Sequence, residues 1–163
     1  MGSIRISGAG GWSDGSRVWY HDLGHRLQAS GFRKTGRYKG IRDHRKLKAF
    51  HLADTLTLQI YKATRIFPRD EQFGLISQMR RAAVSVASNI VEGSARDSLA
   101  EYLRFLNISY GSVCELQYQI SLAARLGYLK DESSKALRES CHETAKVING
   151  LIRSLRKTSR PEA

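Results

Sequence analysis

A chain of 163 residues with 41% hydrophobic and 26% charged side chains holds enough apolar material for one globular core and requires no second domain. No apolar run approaches the roughly 18 residues of a membrane span, and the first residues lack the apolar stretch of a secretion signal, so a cytoplasmic protein with no membrane partner is expected. The two cysteines, Cys114 and Cys141, are too few for a disulfide framework or a zinc site, and both are expected to be buried, reduced thiols.

The formal net charge of +12 is unevenly spread. Residues 1–46 carry 10 Lys and Arg against three Asp, together with 9 of the 14 glycines, and show no sustained period of 2 or 3.6. A disordered, basic, Gly-rich extension is expected there. Two readings of it stand side by side: an arm that contacts nucleic-acid phosphates, or upstream sequence translated ahead of a native start, the next methionine being Met79.

From residue 47 to 157 four apolar-periodic segments follow, and residues 158–163 form a short tail. The first runs from about Leu47 to Ile66, with Ala49, Leu52, Leu56, Ile60 and Ala63 at steps of three or four. It stops at Phe67-Pro68, because proline lacks an amide donor and restricts the residue before it. The second spans about Leu75 to Glu92, with Leu75, Met79, Ala83, Val86 and Ile90 inward and Gly93 as its stop. A capping box, Ser98 with Glu101, opens the third. Its expected core stripe is Leu99, Leu103, Leu106, Tyr110, Val113, Gln117, Ile120 and Ala124. Phe105 and Ile108 fall on the opposite side, which predicts a second apolar face and a candidate oligomer interface. The third helix ends near Gly127. Asp131 is expected to cap a fourth from about Glu132 to Arg156, with Leu137, Cys141, Ala145, Ile148, Ile152 and Leu155 inward. The predicted class is all-α, an antiparallel up-down-up-down four-helix bundle.

Polar residues within this frame carry no catalytic constellation. The histidines do not pair at metal-binding spacing, no serine sits in a nucleophile elbow, and Gly8 to Gly11 lack the strand and helix of a phosphate loop. No catalytic residue, metal, cofactor or small-molecule substrate is expected. The aromatics, Tyr110 and Tyr118 among them, follow helical spacing and read as packing residues. Arg81, Ser85, Asn89 and Glu92 line one side of the second helix. One reading has them hydrogen-bonding to a neighbouring helix or subunit, with Arg96 paired to Glu92. The other has Arg80, Arg81, Arg96 and Arg104 facing a basic groove that holds RNA phosphates.

Phe67-Pro68, Glu71, Ser77-Gln78, Arg80 to Ala83, Ser85, Asn89-Ile90, Glu92-Gly93, Arg96, Ser98, Glu101, Phe105-Leu106, Ser109, Gly111-Ser112, Glu115-Leu116 and Gly127 to Leu129 together resemble the proteins encoded by intervening sequences of bacterial 23S ribosomal RNA genes, also called S23 ribosomal proteins. The resemblance covers about residues 45–157. It implies a four-helix bundle assembled as a homopentamer, without established enzyme activity. It also implies a distant kinship with the accessory protein of diversity-generating retroelements, which binds a reverse transcriptase and nucleic acid. Ser85, Asn89, Glu92, Gly93, Ser98, Glu101, Gly111, Ser112 and Glu115 stand as its structural fingerprint. Two functions remain open: association with RNA or a nucleoprotein through a basic surface, or a scaffold that binds another protein.

Overall fold

The computed structural model describes residues 43–158. The expectations for residues 1–42 and for the tail beyond 158 lie outside the described residues. Asp43 to Lys46, assigned above to the irregular extension, instead form a capped turn. The Asp43 carboxylate accepts from the Arg45 backbone amide at 3.1 Å and from Arg45 Nε at 2.9 Å, at the head of a 3-10 turn over His44–Lys46.

Four helices follow, α1 (Lys48–Ala63), α2 (Leu75–Ser94), α3 (Leu99–Arg125) and α4 (Asp131–Thr158), with no strand among the described residues. Each packs against two others, α1 and α3 both lying against α2 and α4, which is the arrangement of a four-helix bundle. Ala49, Ala53, Leu56 and Ile60 are the buried stripe of α1. Ala53 replaces the predicted Leu52, which is half-buried. All five predicted core residues of α2 are buried, as are five of the six on α4, Leu155 being half-buried.

Helix ends follow local chemistry. A 3-10 turn over Thr64–Ile66 closes α1, and the chain leaves it at Phe67-Pro68. Phe67 turns inward with its ring 5.5 Å from that of Tyr128. Glu71 then caps α2: one carboxylate oxygen accepts the Leu75 amide at 2.8 Å and the other accepts the Tyr128 hydroxyl at 3.2 Å. Ser98 Oγ accepts the Glu101 amide at 3.1 Å, while the Glu101 carboxylate returns to the Ser98 hydroxyl, so the reciprocal arm of the capping box ends on the side chain. Gly127, with φ 75°, closes α3 in a Schellman motif: its amide bonds to the Ala124 carbonyl and the Tyr128 amide to that of Ala123. Asp131 is the first residue of α4 rather than its cap, placed where a carboxylate favours the positive helix end.

Three expectations need correction. The buried stripe of α3 is Tyr102, Leu106, Ser109, Val113, Leu116, Ile120 and Ala123, rotated from the predicted one, and Tyr110 is exposed. Serines that bury by bonding to carbonyls moved the true face away from the apolar one. The rotation also exposes Cys114, and only Cys141 is a buried thiol, with its pKa pushed up to about 12 by burial. Gly93 is not a stop but a buried helical residue, because α2 and α3 touch there. A Cβ at Gly93 would stand 2.7 Å from Phe105 Cβ and 3.1 Å from the Tyr102 ring.

That contact sets the sign of a substitution. In an open helix Gly→Ala stabilises by about 1 kcal/mol, and at Gly111, where an added Cβ meets nothing within 4 Å, Gly111→Ala is expected to raise the urea midpoint accordingly. Gly93→Ala instead forces the two helices apart and is expected to cost about 1–3 kcal/mol. Urea denaturation followed by circular dichroism checks both signs together.

Candidate nucleic-acid interface

The predicted polar residues of α2 and α3 meet each other first. Asn89 Nδ2 donates to the Ser85 carbonyl at 2.7 Å and to Ser85 Oγ at 3.0 Å. Ser85 Oγ lies 2.8 Å from Ser112 Oγ, which itself donates to the Ile108 carbonyl at 3.1 Å. Making all these bonds fixes one direction of donation, Asn89 to Ser85 to Ser112 to Ile108. Ser109, fully buried, donates to the Val86 carbonyl at 2.8 Å. Because partners ascend on α2 as they descend on α3, these two helices run antiparallel. Ser85, Asn89, Gly93, Ser109 and Ser112 thus hold the α2–α3 contact. Gly111 has no neighbour that explains it, and Glu115, itself exposed, accepts from the buried Gln119 at 2.9 Å.

The four arginines do not converge. Arg80 Nε donates to Thr64 Oγ1 at 2.9 Å, and its guanidinium carbon stands 4.8 Å above the centre of the Tyr61 ring. Arg81 is exposed beside it. Arg96 forms an ion pair with Glu92, as the spacing predicted, and stacks 4.8 Å over Phe105. At 1.5 Å per residue it lies roughly 20 Å from Arg80 along α2. Arg104 is exposed on α3, one turn from Asn107. Phe105, a predicted interface residue, is half-buried beneath Arg96 and against Gly93, whereas Ile108 remains 42% exposed.

Charge gathers elsewhere. Lys135, Arg138, His142, Lys146, Asn149, Arg153 and Arg156 are all exposed and recur at steps of three or four, so they fall on one side of α4. By helix rise the stripe spans about 30 Å. It borders α3: Gln117, Lys135, Arg138, Glu139, His142, Glu143 and Lys146 line a groove of about 580 Å³. The neighbouring hollow of about 280 Å³ is lined by Tyr110, Gln117, His142, Ala145, Lys146 and Asn149. Farther along, Arg156 Nη2 donates to Asn107 Oδ1 at 3.5 Å. Glu143, one of the two acids here, is paired with Lys48 of α1 at 3.2 Å. Lys135, Arg138, Lys146 and Arg153 have no such tie among the described residues. Four such cations on one rigid helix suit a polyanion backbone. The signal was present in the sequence as spacing, but the edge of α4 that meets α3 was not.

A second hollow, of about 750 Å³, lies along α2. Tyr61, Phe73, Ile76, Arg80, Arg81, Val84, Ser85 and Glu115 are among its lining residues, and Phe73 at its rim is 91% exposed. Among the described residues no three His, Cys, Asp or Glu side chains come together as metal ligands, and no helix is long and apolar enough to cross a membrane.

The family model for the 23S rRNA-intervening sequence protein matches residues 45–150. Among solved structures, the chain is similar to a protein of unknown function from the S23 ribosomal protein family of Bacteroides thetaiotaomicron, with TM-score 0.60 and 21% identity over 64% of this chain and 95% of that one. At that identity the likeness speaks for the fold. No curated protein matches.

The contacts separate Arg80 from Arg81. Arg80→Ala removes a charged hydrogen bond and a ring contact and is expected to lower stability by about 1 kcal/mol. Arg81→Ala should change it by less than about 0.5 kcal/mol. Thermal denaturation of the two variants checks the difference.

Proposed function

Since the chain belongs to the family of 23S rRNA-intervening sequence proteins, we propose that it is a non-enzymatic, self-associating helical bundle that binds RNA or a nucleoprotein through the groove between α3 and α4. The observation that carries this reading is the row of Lys135, Arg138, Lys146 and Arg153 along one edge of α4, without acidic partners among the described residues. Phosphate contacts supply affinity with little base readout when cations are arrayed on a rigid scaffold. Arg80 and Arg96 are engaged in holding the bundle and are removed from the binding set.

A second reading, a scaffold for another protein, is favoured by one observation, the hollow along α2 with Phe73, Tyr61 and Val84 exposed at its edge. Apolar exposure of that kind marks protein contacts more often than phosphate contacts.

Salt dependence tests the first reading. The logarithm of the RNA association constant should fall linearly with the logarithm of salt, with a slope on the order of −0.7 per phosphate contact on single strands. In the full chain, replacing Lys135, Arg138 and Lys146 together by Gln should reduce that slope by about 2 while the helix content stays constant. An unchanged slope would show that the groove does not hold the phosphates.

A further inference from the structure

We propose that the α3–α4 groove takes single-stranded rather than duplex RNA, holding bases by stacking on Tyr118 and Tyr110 while the α4 cations hold the phosphates. This rests on the reading of the groove as a phosphate site. Tyr110 lines the hollow beside His142, Lys146 and Asn149. Tyr118 is not among the residues lining either hollow; it stands on the outer side of α3, next in sequence to Gln117, and at 62% exposure is the most exposed tyrosine of that helix. Both were expected to pack in the interior, and neither does.

The geometry suits a strand with free bases. Eight residues of helix set the two tyrosines about 12 Å apart along the axis of α3. A long helical side chain leans toward the N-terminus of its helix, and the turns on that side of Tyr118 carry Cys114 and Gly111. These are small, and a Cβ at Gly111 would meet nothing within 4 Å. The outward face of α3 is therefore low between the two tyrosines, and Gly111, which has no packing role in the chain, keeps it so. A flat base can lie there with its phosphate toward α4. A duplex keeps its bases stacked on one another and presents only backbone to a convex helical surface, so it gains the cations and not the rings.

Fluorescence anisotropy of the full chain with a labelled 20-nucleotide single-stranded RNA, and with a blunt RNA duplex of the same length, decides it. Tyr118→Ala is expected to weaken single-strand binding about tenfold at an unchanged salt slope, Tyr118→Phe to restore it because the ring suffices, and neither to affect the duplex. The exposed position keeps both variants folded. Equal affinity of wild type for the two RNAs, or single-strand binding indifferent to Tyr118→Ala, overturns the proposal. If the Lys135, Arg138 and Lys146 replacements still reduce the slope in that case, the groove stands as a phosphate site and only stacking falls. If they do not, the groove reading fails and this one with it.

Discussion

The close approach of α2 and α3 is the constraint on which the rest of this molecule depends. Gly93 lets the backbone of α2 lie against Phe105 and Tyr102, and the hydroxyls of Ser85, Ser109 and Ser112 cross the interface to carbonyls or to one another. Bulky apolar side chains would hold the helices farther apart; small residues with hydroxyls let them touch without stranding a buried polar atom. Once this pair is set, the remaining faces have no choice. Val84 and Arg81 must point away from it, and α3 turns Tyr110, Cys114 and Tyr118 outward.

Helix number and helix ends were legible because their causes are local. Pro68, Ser98 and Gly127 act within a turn of themselves, and each ended or began a helix where its chemistry required. The α2 and α4 cores were legible too, since the apolar stripe of each is the buried one, although α4 also buries Ser134 and Thr144. The phase of α3 was not. Its buried face includes Ser109, Ser112 and Gln119, and an apolar stripe drawn through Tyr110 and Gln117 misses a face built partly of hydrogen bonds. Gly93 failed for a related reason: a glycine that ends a helix and one that admits a neighbouring helix look alike until the neighbour is in place. The arginines divided in the same way, because the partners of Arg80 are Thr64 and Tyr61 on another element.

Fold and function are written in different parts of the chain. Most residues that carry the family resemblance lie between Phe67 and Leu129, and many of them hold the bundle together. Glu71 ties α2 to Tyr128, Asn89 holds Ser85 within α2, the serines bridge α2 and α3, and Glu92 pairs with Arg96. The cations of the proposed groove sit on α4, outside that set. A sequence can keep the first group, and so the bundle, while the second group varies and with it the ligand.

On α4 the buried residues and the cations share one rod and nearly one period. Leu137, Cys141, Ile148 and Ile152 face in while Arg138, His142, Asn149 and Arg153 follow one position later. A single-residue change inside the helix would rotate everything beyond it by about 100°: a deletion would bring Arg153 to the direction that Ile152 now holds, and an insertion would carry Ile148 and Ile152 out to the side of the cations. Change in the groove is thereby channelled: its charge is free to be rewritten letter by letter, but its length can grow only by extending the helix past Arg156, about 10 Å for every seven residues added.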